Sequence, residues 1–259
     1  YGRKTRGLVI AGSKDNPTTI GDESYQFFNR YPETVVAVSE KRTIGMKALA
    51  KIPNPPDFVI LDDVMQHRWV RPQMMIMTTS FNRPYFEDFV FPAGNLREFR
   101  SGVVRADVLI VTRTPEDFSP VQKEVFLKKT NINIPTFFTN IRYSDYLTQN
   151  EKTLDSNFLI GKDFLLVTGI ADTHHLVEHL KIKYGFFDHL RFKDHQIYSP
   201  IDAERINDRA KGKIIVTTEK DYAKLEKALD NNKLYCLMID LGFVFKEEQH
   251  LFEKMIKGL

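Results

Sequence analysis

The chain alternates between short, continuous apolar runs and longer stretches with helical spacing. Runs at 7–11, 34–38, 58–61, 74–78, 107–112 and 136–142 predict strands, because four to six apolar or β-branched residues in succession suit a strand covered on both faces. Between them, 25–29, 43–51, 96–105 and 120–129 predict helices. Pro53, Pro55 and Pro56 end the second, and Pro120 opens the last. The same rhythm restarts further on: strands at 163–168, 190–192, 213–217 and 234–239, helices at 173–184, 202–211, 222–229 and 246–256. Strand–helix–strand order predicts a mostly parallel α/β sheet flanked by helices, followed by a second, smaller α/β lobe. The polar stretch at about 148–157 lacks either period and predicts a linker, giving lobes at 1–147 and 158–259.

Composition narrows the class. With 259 residues there is room to bury a core in each lobe. The net charge of +3 excludes a nucleic-acid-binding balance. A single cysteine, Cys236, excludes an internal disulfide framework or a multi-cysteine metal site, and its apolar setting predicts a buried strand residue. No window is long and apolar enough to cross a membrane as a helix.

The polar residues at strand ends carry the chemistry. The run at 58–61 leads into Asp62 and Asp63, with Gln66 and His67 just beyond. Carboxylates at the C-terminal end of a buried strand stand where open α/β sheets place ligands, and they can hold Mg²⁺ against phosphate oxygens; an Asp-Asp turn ending a strand reads equally well from local sequence. Asp22 and Glu23 follow a glycine and either handle a proton or cap a helix. Arg42 follows the 34–38 strand; Arg97 grips a phosphate or pairs internally with an acid. Asp194-His195 offers a carboxylate–imidazole pair or two loop residues, Lys220 and Asp221 a site or helix-start charges. His174 and His175 read as surface or capping residues. Asp22, Arg42, Asp62, Asp63 and Thr112 are all expected at one edge of one sheet, which predicts an anionic ligand with Mg²⁺ and phosphoryl chemistry. A metal-dependent phosphoester hydrolase built on Asp22, Asp62, Asp63, His67 and His195, or a noncatalytic nucleotide- or lipid-binding module, uses the same groups.

Seven segments in series carry a resemblance: Tyr-Gly-Arg-Lys-Thr at 1–5, Gly-Asp-Glu at 21–23, Asp-Asp-x-x-Gln-His-Arg at 62–68, Pro-Ala-Gly-x-Leu-Arg-Glu at 92–98, Arg-Ala-Asp at 105–107, Phe-x-Asp-His at 192–195 and Thr-Glu-Lys-Asp at 218–221. Together they resemble the tetraacyldisaccharide 4′-kinases. The resemblance implies a P-loop kinase of two α/β lobes, using ATP with Mg²⁺ to phosphorylate the 4′-hydroxyl of a tetraacyldisaccharide 1-phosphate lipid A precursor and give lipid IVA. It further implies a monomer lying peripherally on the cytoplasmic face of a bacterial inner membrane, with no nucleic-acid partner. Asp22 is then the base and His195 its support; Asp62 and Asp63 organise Mg²⁺; Glu23, Arg42, Gln66, His67, Arg97 and Glu98 line the nucleotide or disaccharide site. Val64 and Met65 stand where the family has Gly-Phe. The family's glycine-rich phosphate loop is expected before Tyr1, so the chain alone is expected to have little or no activity.

Overall fold

A computed structural model describes residues 3–149, 152–229 and 233–259. Tyr1 and Gly2 of the first family-like segment, and positions 150 and 151 of the expected linker, lie outside the described residues. In chain order the elements are β1 (Val9–Ile10), α1 (Pro17–Ile20), α2 (Asp22–Arg30), β2 (Ala37–Val38), α3 (Arg42–Leu49), β3 (Ile76–Ser80), β4 (Val108–Thr112), α4 (Pro120–Thr130), β5 (Thr136–Gln149) and β6 (Lys152–Asp155). They continue with β7 (Phe164–Thr168), α5 (His174–Tyr184), β8 (Asp188–Arg191), α6 (Pro200–Ala210), β9 (Ile214–Thr218), α7 (Glu219–Ala228), β10 (Leu234–Phe243) and α8 (Lys246–Lys257). The fold is α/β, with mostly parallel strands flanked by helices.

The chain divides into two compact units, and neither is one continuous stretch. One comprises Tyr1–Leu61 and Tyr143–Ile239, the other Asp62–Arg142 and Asp240–Leu259. Of the expected linker, 148–149 belong to β5 and 152–155 to β6, which pair antiparallel with Leu147 opposite Leu154, and 156–157 open a 3₁₀ turn at Ser156–Leu159.

In the first unit the strands run in the order β6-β5-β10-β9-β7-β8, and β10, β9, β7 and β8 are mutually parallel. β7 is buried at every position, and its alternation explains why. Leu165 and Val167 join Ala203, Ile206 and Ala210 of α6 and Leu225 of α7 in one core cluster. Phe164 and Leu166 join Leu176, Leu180 and Tyr184 of α5 in another. A strand with helices on both faces has no polar side, hence the uninterrupted apolar run. α6 begins at Ser199, whose side chain accepts from Asp202 N while Asp202 reaches back to the Ser199 backbone. β7 leads through α5 to β8 on one side, whereas β9 lies on its other side. The strand order therefore reverses between β7 and β9, the switch point at which doubly wound sheets open a crevice beyond their carboxyl ends.

In the second unit β3, β4 and β5 are parallel, with Thr78 opposite Ile110 and Ile110 opposite Phe137. Its core is aromatic: Phe118 packs on Phe138 at 4.9 Å between ring centres, and Phe126 on Phe81 at 5.6 Å. Glu248 of α8 is buried, and it accepts the Phe138 N–H at 2.8 Å and pairs with Lys123.

Four expected elements differ. The run at 58–61 forms no strand, and Phe58 and Ile60 are exposed. A strand exists only through a hydrogen-bonded neighbour, and apolar composition does not supply one. β1 and β2 pair antiparallel, Val9 opposite Val38, as a separate two-stranded sheet instead of joining a parallel one. The expected helix at 96–105 is a 3₁₀ segment confined to Arg100–Arg105. Consequently the expected meeting of Asp22, Arg42, Asp62, Asp63 and Thr112 at one edge of one sheet does not occur in that form: Asp22 and Arg42 open helices, Asp62 and Asp63 lie in a turn, and Thr112 alone ends a strand.

Candidate active site

The carboxyl ends of β7 and β9 are joined by a buried carboxylate. Asp221, in the first turn of α7, is fully buried and accepts from Gly169 N at 2.7 Å, Thr218 Oγ1 at 3.0 Å and Tyr198 Oη at 3.0 Å. Burial pushes the Tyr198 phenol far up and the Asp221 charge reinforces the shift, so this hydroxyl keeps its proton and donates it. A side chain at Gly169 would meet Asp221 Oδ1 at 2.8 Å and Tyr198 Oη at 2.9 Å, so the approach admits only glycine.

His195 lies four residues past β8 and is held in the left-handed region at φ 57°. Its N–H reaches Gly169 O at 3.2 Å and Asp194 Oδ1 at 3.0 Å, which anchors the residue to the end of β7. From there its Nδ1 lies 3.2 Å from Asp22 Oδ2. Asp22 opens α2 after Gly21, whose φ of 91° turns the chain out of α1. The same Asp22 oxygen accepts from Lys224 Nζ at 2.5 Å, and Lys220 Nζ lies 2.8 Å from Asp194 Oδ1 and 3.2 Å from His195 Nε2. Burial pushes the Asp194 carboxyl up, but Lys220 and His195 together outweigh it and hold the group below the usual carboxylate range. The Asp22 and Lys224 side chains retain 15% and 9% of their exposure, so this pair is largely shielded from screening by water. Of the other expected residues in this unit, Glu23 is exposed in the first turn of α2, and Arg42 donates to Ser39 O at 2.6 Å.

A second cluster stands in the other unit. Asp63 sits at φ 53° and pairs with Arg97 at 2.6 Å. Glu98 accepts from Gln66 at 2.9 Å and from Arg105 at 2.6 Å. The Arg105 hydrogen bond holds the Glu98 carboxyl below its ordinary range against the opposing pull of burial. Asp62 is exposed, and His67 N–H closes a turn onto Val64 O at 2.7 Å. Arg97 and Glu98 thus make ion pairs with Asp63 and Arg105, the reading left open beside phosphate binding. The structure brings Asp22 and His195 together in one unit and Asp63 with Arg97 and Gln66 with Glu98 in the other; outside these pairs, Glu23 and Arg42 belong to the first unit and Asp62 and His67 to the second.

Lys224 carries a contact that the sequence reading did not assign, and Lys220, read there as a site residue or a helix-start charge, carries two more. A signal was present: they stand four residues apart on α7, which puts them on one helical face. His174 and His175 are exposed, and Asp172 caps the His174 N–H at 3.0 Å. Cys236 is buried in β10, and burial, reinforced by Glu219, pushes its thiol up to about 12, which leaves it unreactive.

A doubly wound α/β sheet with a clamped carboxylate–imidazole pair beyond its carboxyl ends defines the class: an α/β enzyme equipped to handle a proton. The model of the tetraacyldisaccharide-1-P 4′-kinase family matches residues 1–259. A tetraacyldisaccharide 4′-kinase of Flavobacterium psychrophilum is 36% identical over 99% of this chain and 75% of its own length. One from Bacteroides thetaiotaomicron is 37% identical over 100% of this chain and 74% of its own. The crystal structure of LpxK from Aquifex aeolicus in complex with ATP superposes with a TM-score of 0.76 at 26% identity, covering 99% of this chain and 76% of that one. The chain belongs to the tetraacyldisaccharide 4′-kinase family, and its activity is that of a kinase.

Proposed function

We propose that the chain transfers the γ-phosphoryl group of ATP to the 4′-hydroxyl of a tetraacyldisaccharide 1-phosphate, giving lipid IVA, with Asp22 as the base and His195 supporting it. The Asp22–His195 contact at the strand ends carries this reading. His195 Nδ1 and Lys224 Nζ both meet Asp22 at Oδ2, so Oδ1 is the oxygen offered to the sugar hydroxyl. In the transfer, that hydroxyl oxygen bonds to the γ-phosphorus and its proton passes to Asp22. The bond from phosphorus to the bridging oxygen breaks, and ADP leaves with the electron pair.

Asp62 and Asp63 supply hard oxygen ligands of the kind Mg²⁺ takes, and their exposure suits a metal shared with a nucleotide. Mg²⁺ would neutralise charge on the transferring phosphoryl group. Arg97, already on Asp63, orients that carboxylate; Gln66 and Glu98 buttress the same turn. Glu23 and Arg42 in the first unit, and His67 in the second, are assigned to binding nucleotide or disaccharide. A lipid substrate places the enzyme peripherally at the cytoplasmic face of the inner membrane, and it acts there as a monomer.

The test is phosphoryl transfer from labelled ATP to the tetraacyldisaccharide 1-phosphate, measured on the intact protein. Asp22→Asn keeps the shape and removes the basic oxygen, and should lower kcat by roughly 10²-fold or more. Near-normal turnover by that variant overturns the assignment of the base.

A further inference from the structure

His195 stands between two charged groups, and their chemistry decides where its proton sits. Lys220 Nζ approaches Nε2 at 3.2 Å. An ammonium has three donors and no acceptor, so this contact is a hydrogen bond only if Nε2 is the bare nitrogen. Asp194 Oδ2 also stands near Nε2, at 3.7 Å, too long for a proton on Nε2 to be shared with it. Asp194 instead accepts Lys220 at 2.8 Å through its other oxygen, which pins the ammonium in place. With Nε2 bare, the neutral ring carries its proton on Nδ1, where Asp22 Oδ2 lies 3.2 Å away. The opposite tautomer would face two lone pairs at one end and two donors at the other.

We propose that Lys220 is a positioning residue that holds His195 as the Nδ1–H tautomer, and that Lys224, from the same face of α7, supplies the second donor to Asp22 Oδ2. The two lysines act through neighbours: one orients the imidazole, the other the carboxylate. Together they fix the edge of Asp22 that meets the substrate hydroxyl. The catalytic consequence rests on the reading of Asp22 as base; the tautomer rests on the hydrogen-bond geometry alone.

Long-range ¹H–¹⁵N correlation spectra of the ¹⁵N-histidine-labelled chain at alkaline pH separate the two nitrogens of each ring. His195→Gln identifies the signal among the seven histidines. The expected result is a protonated Nδ1 and a bare Nε2 in the wild type. Lys220→Met should move the ring toward the Nε2–H form, while Lys220→Arg, also a pure donor, keeps Nδ1–H. An Nε2–H or doubly protonated ring in the wild type overturns the proposal, as does a ring that ignores Lys220→Met. If Lys220→Met fails to fold, the wild-type and Lys220→Arg spectra decide alone. In the kinase assay on the intact protein, Lys224→Met should lower kcat about tenfold with KM for both substrates unchanged, and Lys224→Arg should restore most of it. A rise in KM without loss of kcat overturns the role of Lys224. The expected tautomer together with an active Asp22→Asn would sink the base and leave the tautomer standing.

Discussion

At the residue scale, the molecule places its most constrained atoms where two strand ends meet. Gly169 donates its N–H to the buried Asp221 and its carbonyl accepts the His195 N–H, so one backbone unit ties the core to the imidazole that supports the candidate base. Gly169→Ala would force a methyl to within 2.8 Å of Asp221 Oδ1. The expected cost is about 1–3 kcal/mol, read as a lower midpoint in urea unfolding. His195 should also be displaced, so kcat should fall more than stability alone accounts for. Full stability with full activity would show that this close approach is dispensable.

At the element scale, the segments legible in the sequence were those buried on both faces or carrying their own capping residues. β7, β9 and α6 announce themselves: the two strands by apolar runs buried on both faces, the helix by Ser199-Pro200 with Asp202 closing its capping box. The run at 58–61 has the same composition as β7 and yet forms no strand, because pairing is a property of two segments and composition belongs to one. β1 and β2 show the matching difficulty: orientation is set by the partner, and they pair antiparallel. The site was legible in part. Asp22 and His195 were singled out as residues, but their separation of 173 positions hides the contact that unites them. Lys224 stayed unassigned because a lysine in a helix ordinarily faces water. β8 carries a testable consequence. His189 touches Thr168 Oγ1 at 2.8 Å, and burial, with Arg191 and Lys181 nearby, lowers its pKa below 6.5. A folded ring that refuses a proton which the unfolded chain accepts contributes stability above pH 6.5 and loses it as pH falls through the folded value. Midpoints of unfolding should therefore drop between about pH 7.5 and 5.5. His189→Gln, which cannot titrate, should flatten that drop; an unchanged slope would contradict it.

At the scale of the whole molecule, charge is arranged as many local pairs. Lys213 beside Asp188, Lys183 beside Asp145 and Arg105 beside Glu98 each hold a carboxyl below its ordinary pKa, as Lys220 and His195 hold Asp194, and hydrogen bonds from Ser199 do the same for Asp202. Depressed values mean that the stabilisation is complete above the unfolded values, 3.8 for Asp and 4.5 for Glu, and disappears as pH falls through the folded ones. Urea unfolding of the His189→Gln variant, followed from about pH 6 to 3, should show stability nearly flat above about pH 5 and falling steeply below it. A decline confined to neutral pH would place the controlling groups elsewhere.

The division into units assembled from separated stretches has a bearing on biosynthesis. The first unit lacks β10 until residue 239 has been made, and the second lacks Glu248, the acceptor of the Phe138 N–H, until α8 follows. On the ribosome neither can close early and wait for the other. Asp62–Arg142 must remain unfinished while nearly a hundred further residues emerge, with its phenylalanine cluster short of Phe245 throughout. Chaperone capture during that interval, rather than any weakness of the finished protein, would then limit its yield in a cell.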